Sequence, residues 1–193
     1  VPLAVPIVKM LKIMSLRALY RAVPGIISKI ASFLKSKAVE VREAARATLC
    51  SVATQLGPRC VATVVKELQA QLLRGYQLHI LTYTVHSVLH TLGQADQLKP
   101  GDLDSTCPQV VEICLSEMFG VISEEKDVKK ITGKLLEARG TKSYDSLQLL
   151  AKFISNNKLM ALVRPIADKC ATFSTFKNLT KIRECFRNIV LGL

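Results

Sequence analysis

Residues 51–57 read Ser-Val-Ala-Thr-Gln-Leu-Gly and residues 87–93 read Ser-Val-Leu-His-Thr-Leu-Gly, so one pattern returns after 36 residues. Two prolines, Pro24 and Pro58, stand 34 residues apart, each ahead of an apolar segment. Proline suits the first turn of a helix because no backbone donor is needed there, and glycine suits the left-handed exit from a helix. This punctuation predicts a repeated unit of helix, turn and helix, with Pro24 and Pro58 opening helices.

Apolar residues between these marks recur at intervals of three and four. That spacing places them on one face of each helix, as in arrays whose units bury their stripes against one another. Val41-Arg42 followed by Ala45 and Leu49 resembles the second helix of a HEAT unit. We therefore predict an all-α fold, an α-solenoid of HEAT-like helical hairpins. The two clearest stripes are Ile26, Ile27, Ile30, Phe33 and Leu34, and Val41, Ala45, Leu49, Val52 and Leu56.

Three parts are predicted along the chain: HEAT-like helical repeats over residues 1–92, an acidic loop over 93–106, and further helical repeats with basic faces over 107–193. The irregular stretch itself is expected from Gln94 to Thr106. Pro100-Gly101 breaks any helix there, and we expect Asp102 and Asp104 to solvate the loop. Because a loop of this length is unusual in a compact repeat, it suggests contact with a partner.

The first helix is predicted from Pro6 to Val23 and is apolar around most of its circumference. Basic residues interrupt it too often for a membrane span, which needs about 20 consecutive apolar residues, and their spread does not match a signal peptide. The narrow polar face favours a buried repeat helix over one lying at a membrane interface, so we expect it to pack on helices of a longer array. The interrupting residues are Lys9, Lys12, Arg17 and Arg21.

The net charge of +12 is unevenly distributed along the sequence. Residues 1–92 carry +9, residues 93–127 carry −6 and residues 128–193 carry +9. Solvated basic faces are ordinary on soluble helices. A sustained excess of this size nevertheless favours phosphate-bearing partners, and RNA or an RNA-containing particle is the leading hypothesis.

The densest basic cluster lies in the last third of the chain, on a helix predicted from Glu124 to Arg139. Gly140 is expected to end this helix and Ser143 to cap the next one. The nearby aromatic residues, Tyr144 and Phe153, stand at positions typical of a core, so contact with the backbone of structured RNA is favoured over base stacking. The residues predicted to contact nucleic acid are Lys129, Lys130, Lys134, Arg139 and Lys142.

Catalytic and metal-binding patterns are weak in this sequence. His86 and His90 have the spacing of a zinc-binding helix, but Ser87 stands where a metalloprotease carries its general-base glutamate, and the nearby sequence offers no third ligand. We expect His79 and His86 to be hydrogen-bonded at a helix packing surface. Phosphate-loop and nucleophile-elbow motifs are also absent from the sequence. We predict no enzymatic activity, no cofactor and no metal.

Six cysteines are spread along the sequence without a Cys-x-x-Cys pair. Their spacing matches neither a zinc framework nor a small disulfide-rich domain. Most stand on apolar helical stripes, where a reduced thiol packs as a small hydrophobic group, which indicates a reducing intracellular compartment.

Two arginines, Arg42 and Arg46, lie four residues apart in the same predicted helix. They can pair with Glu43 and Glu40 or face a ligand. Because oppositely charged residues three and four apart meet on a helix surface, we favour local pairing.

A further motif of the sequence is Leu73-Arg74-Gly75-Tyr76-Gln77-Leu78-His79, followed by Tyr83-Thr84-Val85-His86. With Gly101-Asp102-Leu103-Asp104, Glu124-Glu125-Lys126, Ile131-Thr132, Glu137-Ala138-Arg139 and Lys142-Ser143-Tyr144-Asp145, it resembles the family of component 20 of the small-subunit processome, very large HEAT-repeat proteins associated with U3 small nucleolar RNA. The resemblance covers about residues 40–153 and is most specific at 74–86. Its signature residues are Arg74, Gly75, Tyr76, His79, Tyr83 and His86. Gly75 is expected to make a tight turn, and Tyr76, Leu81 and Tyr83 to pack their helix on its neighbours.

The resemblance implies a non-enzymatic scaffold in the nucleus and nucleolus. Such a scaffold belongs to the 90S pre-ribosome and is needed for 18S rRNA maturation and assembly of the small ribosomal subunit. Its implied partners are pre-ribosomal RNA, the U3 ribonucleoprotein and other processome proteins, with no membrane and no small-molecule substrate. Two other classes stay open: a HEAT-type protein-binding adaptor such as a transport receptor or phosphatase scaffold, disfavoured by the basic ends, and a hydrolase or metalloenzyme.

Overall fold

The computed structural model describes residues 3–72, 75–120, 135–138 and 140–193. These residues form α-helices joined by short turns and contain no β-strand, which confirms the predicted all-α class. The helices are α1 (Ala4–Met14), α2 (Leu16–Ser32), α3 (Val39–Leu56), α4 (Val61–Gln71), α5 (Gln77–Gln94), α6 (Cys107–Phe119), α7 (Lys142–Phe153), α8 (Leu159–Thr172) and α9 (Phe176–Gly192).

The helices stack in two layers. In one layer α1 packs on α3, α3 on α5, α5 on α7 and α7 on α9, so the odd-numbered helices form a continuous row. In the other layer α2 packs on α4 and α6 packs on α8. Successive helices of a hairpin contact each other across the layers, as α1 with α2 and α5 with α6. This stacking is the predicted α-solenoid.

The core lies between the two layers and is built from the predicted stripes. Ala45, Leu49 and Val52 of α3 are buried, whereas Val41, at the start of the stripe, is exposed. Each leucine side chain withdrawn from water stabilises the fold by about 1.5–3 kcal/mol. The stripe on α2 is likewise confirmed, since Ile27 is fully buried.

Two details of the N-terminal helices differ from the prediction. The single helix expected from Pro6 to Val23 is interrupted at Ser15, whose backbone is extended and whose Oγ accepts a hydrogen bond from the Ala18 N–H at 3.5 Å. Serine favours this break because its hydroxyl oxygen accepts a hydrogen bond from a first-turn N–H of α2, which has no carbonyl partner within that helix. Pro24 does not open a helix but lies inside α2, whereas Pro58 begins a 3₁₀ turn that leads into α4.

The irregular stretch after α5 runs over residues 95–106, since α5 ends at Gln94 and α6 begins at Cys107. Its carboxylates are not simply solvated, because Asp104 accepts hydrogen bonds from the backbone N–H and the hydroxyl of Ser155. These bonds hold the pKa of the Asp104 carboxyl below its usual value. The Gly101 N–H also donates to the Phe153 carbonyl at 2.9 Å. The loop is thereby attached to the end of α7.

Two glycines should respond to alanine with opposite signs. Gly75, in the turn before α5, has φ of +45°, so Gly75→Ala is expected to destabilise the chain by about 1 kcal/mol. Gly25 lies in α2 with nothing within 4 Å of an added Cβ, so Gly25→Ala is expected to stabilise it by about 0.5–1 kcal/mol. Urea unfolding of both variants followed by circular dichroism would measure this. Equal effects of the two substitutions would contradict the assigned conformations.

Candidate interaction surfaces

Five of the six signature residues lie in the turn before α5 or along that helix. Gly75 makes the predicted tight turn, and Tyr76 packs partly buried against the core. Leu81 is buried in the same core, as expected. Arg74 lies outside the residues that the structure describes. This part of the signature is a structural element.

His79 joins α5 to the next two helices. Its Nδ1 lies 2.9 Å from Oε1 of Glu117, a buried residue of α6. The hydroxyl of Ser143, at the start of α7, donates to Oε2 of the same carboxylate. The prediction that His79 is hydrogen-bonded at a packing surface is therefore confirmed. Ser143 does not cap α7, since its hydroxyl is directed into the core and Thr141 holds the cap position.

Arg42 and Arg46 bind a distant carboxylate rather than their predicted neighbours. Glu137 accepts hydrogen bonds from Nε and Nη2 of Arg42 at 2.8 and 2.9 Å, and from Nη2 of Arg46 at 2.6 Å. We call these three residues the Glu137 cluster. All three are buried, which explains why exposed Glu40 and Glu43 are not the partners: the arginines face the core side of α3.

The geometry of the Glu137 cluster keeps it ionised. Burial alone raises the pKa of the Glu137 carboxyl, but hydrogen bonds from Arg42 and Arg46 outweigh this effect and lower the pKa to about 2. Hydrogen bonding to Glu137 likewise raises the pKa of the Arg42 guanidinium. The second guanidinium also lies over the ring of the signature residue Tyr83, with the Arg46 Cζ 4.4 Å from the ring centroid. Tyr83 therefore packs its helix on α3, as predicted.

His86 is the signature residue for which the expectation was wrong. It is buried on α5, and its Nδ1 has no hydrogen-bond partner among the described residues. Burial lowers the pKa of the imidazole to about 4, so the ring is neutral at physiological pH. The ring of His90 lies beside it, with centroids 5.6 Å apart. A polar atom left unsatisfied in a core is a cost to stability.

The cysteines pack as the sequence predicts. Four of the six thiols are buried and none forms a disulfide. Burial raises the pKa of the Cys60 and Cys185 thiols to about 12 and that of Cys107 to about 11. Such thiols are not nucleophiles at neutral pH, because the thiolate is the reactive form.

Of the five predicted nucleic-acid contacts, the structure places one. Lys142, at the start of α7, is half-buried and donates to the Asp145 carboxylate at 2.7 Å. The other four, Lys129, Lys130, Lys134 and Arg139, lie outside the described residues, as does most of the helix predicted from Glu124 to Arg139. Within that range the described residues Leu136–Ala138 form a 3₁₀ turn.

A second basic surface was not singled out from the sequence. Arg17, Arg21 and Lys29 lie on the exposed side of α2, and within the described part of the chain none of the three has an ion pair or a hydrogen-bonded side chain. We call them the α2 basic face. Residues 1–39 contain seven basic residues and no acidic one, and this imbalance is the signal that could have located the face.

Metal and membrane sites receive no support from the part of the chain that is described. Across residues 3–72, 75–120, 135–138 and 140–193 no group of three or more His, Cys, Asp or Glu side chains is placed to hold a metal ion. None of the helices formed by these residues is long and apolar enough to cross a membrane.

Comparison with known proteins gives a family match over the whole chain. The model of the U3 small nucleolar RNA-associated protein 20 domain matches residues 1–193. The chain is 36% identical over 170 residues to U3 small nucleolar RNA-associated protein 20 of Saccharomyces cerevisiae, which covers 88% of this chain and 7% of that protein. It is 31% identical over 193 residues to the protein of the same name from Schizosaccharomyces pombe, which covers 100% of this chain and 8% of that protein.

Proposed function

This chain belongs to the U3 small nucleolar RNA-associated protein 20 domain family, and from that premise we propose that it is a scaffold segment in ribosome biogenesis. More specifically, we propose a non-enzymatic segment of the small-subunit processome, the 90S pre-ribosome, acting in 18S rRNA maturation and small-subunit assembly in the nucleolus. Its partners would be pre-ribosomal RNA, the U3 ribonucleoprotein and neighbouring processome proteins. The family match over residues 1–193 is the observation that supports this proposal. Since the chain spans less than a tenth of its relatives, the proposal concerns one segment of such a protein.

The two-layered array suits a scaffold because each helix buries one side and leaves the other for partners. On α2 the outer side carries only positive charge, which suits the phosphate backbone of RNA. Tyr144 and Phe153 pack in or against the core, so they are not available for stacking bases. Backbone recognition of structured RNA is therefore favoured over base reading.

The proposed absence of catalysis is supported by the structural roles of the polar side chains between the helices. His79, Glu117 and Ser143 bond to one another between α5, α6 and α7. The Glu137 cluster is buried and internally paired. Groups used in this way hold helices together.

The proposal is tested by crosslinking the full-length protein to RNA in cells and sequencing the bound fragments. We expect enrichment of pre-ribosomal RNA and U3 small nucleolar RNA over messenger RNA. Equal recovery of all RNA classes would contradict the proposed role, and recovery of no RNA above background would favour a protein-binding adaptor.

Reversing the α2 basic face is expected to weaken RNA binding and its salt dependence. With Arg17→Glu, Arg21→Glu and Lys29→Glu combined, the slope of log affinity against log salt should become shallower by about 2–3, because each lost phosphate contact removes about 0.7–0.9. A nitrocellulose filter assay with a structured pre-ribosomal RNA fragment would measure the slope. The matched control combines Lys66→Glu, Lys99→Glu and Lys158→Glu, exposed positions scattered over the chain with the same total change of charge. Equal slopes for the two triple variants would show that the α2 basic face does not contact the RNA.

The predicted cluster of the last third forms a separate arm of that assay. Combined Lys129→Glu, Lys130→Glu and Lys134→Glu should weaken association with RNA or pre-ribosomal particles and leave the helical circular dichroism unchanged. Unchanged binding across the salt titration would count against these three lysines, whatever the result for α2.

A further inference from the structure

A small apolar pocket opens where the turn between α1 and α2 meets the turn between α3 and α4. Its volume is about 110 Å³. Leu16, Leu19 and Val23 of α2 form one wall, and Leu56 and Cys60 form the other. A cavity of roughly 150 Å³ with aliphatic walls can hold benzene. This pocket therefore suits one side chain of about the size of leucine or methionine.

The rim of the pocket is positively charged. Lys12 donates to the Gln55 carbonyl at 2.8 Å, which holds its ammonium group beside the opening with further protons to donate. Arg59 also lines the pocket and is exposed, without a hydrogen bond or ion pair among the described residues. No acidic residue of the described chain lines the pocket. The surface is thus complementary to carboxylates next to an inserted apolar group.

The helix that forms one wall of the pocket contains an unpaired helical acceptor. Pro24 has no N–H, so the carbonyl of Tyr20, four residues earlier in α2, lacks its usual helical donor. Both residues line the pocket. Such a carbonyl accepts a hydrogen bond from a peptide N–H or from the 2′-hydroxyl of RNA, so the choice of ligand rests on the apolar walls and on the charge of the rim.

We propose that this pocket docks a short acidic segment of another protein, which inserts one aliphatic side chain between carboxylates that meet Lys12 and Arg59. The aliphatic walls favour a branched side chain over a nucleobase, since bases bind mainly by stacking on aromatic rings and Tyr20 is the one aromatic residue among the described residues that line the pocket. The charged residues of the docking site, Lys12 and Arg59, are not those of the α2 basic face. The docking site assigns to this end of the array a protein partner with an acidic, leucine-containing motif.

The test uses the full-length protein and a fluorescein-labelled dodecapeptide of aspartate and glutamate residues around one central leucine. Fluorescence anisotropy should show saturable binding that weakens about tenfold when the leucine of the peptide is replaced by serine. Arg59→Glu should weaken binding by at least about tenfold, whereas Lys66→Glu, the same charge change on α4 away from the pocket, should change it less than about twofold. Thr63→Trp, which fills the pocket, should abolish the preference for leucine over serine.

Three results would overturn the proposal: no binding of the leucine peptide, equal binding of the leucine and serine peptides, or equal effects of Arg59→Glu and Lys66→Glu. The first excludes the site, and the other two reduce the interaction to general attraction by a basic protein. A labelled oligouridylate is measured in parallel. If Thr63→Trp weakens the oligouridylate and leaves the peptide unaffected, the pocket is a nucleic-acid site and the proposal is wrong.

Discussion

Replacing Glu137 with glutamine is expected to lower the free energy of unfolding by about 3–5 kcal/mol, because it leaves two buried guanidinium groups without a counter-charge. The substitution keeps the size and shape of the side chain, so the loss reflects charge and not a cavity. Arg42 and Arg46 donate three hydrogen bonds to this one carboxylate. Urea unfolding of the chain, followed by circular dichroism, would measure the change.

Glu112→Gln is the matched control, since Glu112 is exposed on α6, and its effect should stay within about 0.5 kcal/mol. A second variant separates ionic pairing from packing. Replacing the whole Glu137 cluster by Met, Leu and Leu at positions 42, 46 and 137 should recover most of the stability, because well-packed apolar groups often substitute for a buried ion pair. A Glu137→Gln variant as stable as Glu112→Gln would show that the cluster does not hold α3.

The second large effect is a dependence of stability on pH that originates at His86. Its imidazole has an ordinary pKa of 6.5 and a folded pKa of about 4. Between these two values the imidazole is protonated in the unfolded chain and neutral in the folded chain. The free energy of unfolding should therefore fall by about 3 kcal/mol as the pH is lowered from 6.5 to 4. Above pH 6.5 this contribution is constant. Unfolding measured at half-unit intervals of pH would trace the fall.

His86→Phe should remove this fall and leave stability at pH 7.5 equal or higher, because the unsatisfied Nδ1 is gone. His90→Phe, on the exposed side of the same helix, is the control and should keep most of the fall, because burial is the main cause of the lowered His86 pKa and His90 is a smaller one. Glu137 acts in a different range. Its carboxyl has an ordinary pKa of 4.5 and a folded pKa of about 2, so its contribution is present above pH 4.5 and is lost as the pH falls towards 2. A His86→Phe variant with an unchanged slope between pH 6.5 and 4 would assign the effect to other groups.

The helices and their stacking were predictable, because they follow from local spacing of apolar residues and from Gly and Pro. The break at Ser15 and the interior position of Pro24 were missed, since a capping serine and a tolerated proline are weak signals inside an apolar run. The partner of Arg42 and Arg46 could not be predicted. Local rules point to partners three or four residues away. Glu137 lies 95 residues from Arg42 and is brought to it by the packing of the helices.

The signature showed the same limit. Its glycine and tyrosines were assigned their packing roles from the sequence, because turn formation and ring burial are local properties. His79 and His86 look alike in the sequence, and one of them is hydrogen-bonded while the other is not. The difference depends on whether a buried carboxylate of another helix, here Glu117, faces the ring.

The separation of 95 residues between Arg42 and Glu137 also determines when this ion pair can form during translation. At about 5–20 residues per second, a translating ribosome needs about 5–20 s to deliver the carboxylate after the arginines have emerged. During that interval the nascent N-terminal hairpins carry two guanidinium groups that have no internal counter-ion. The first helices of the array therefore complete their packing only after Glu137 has been synthesised.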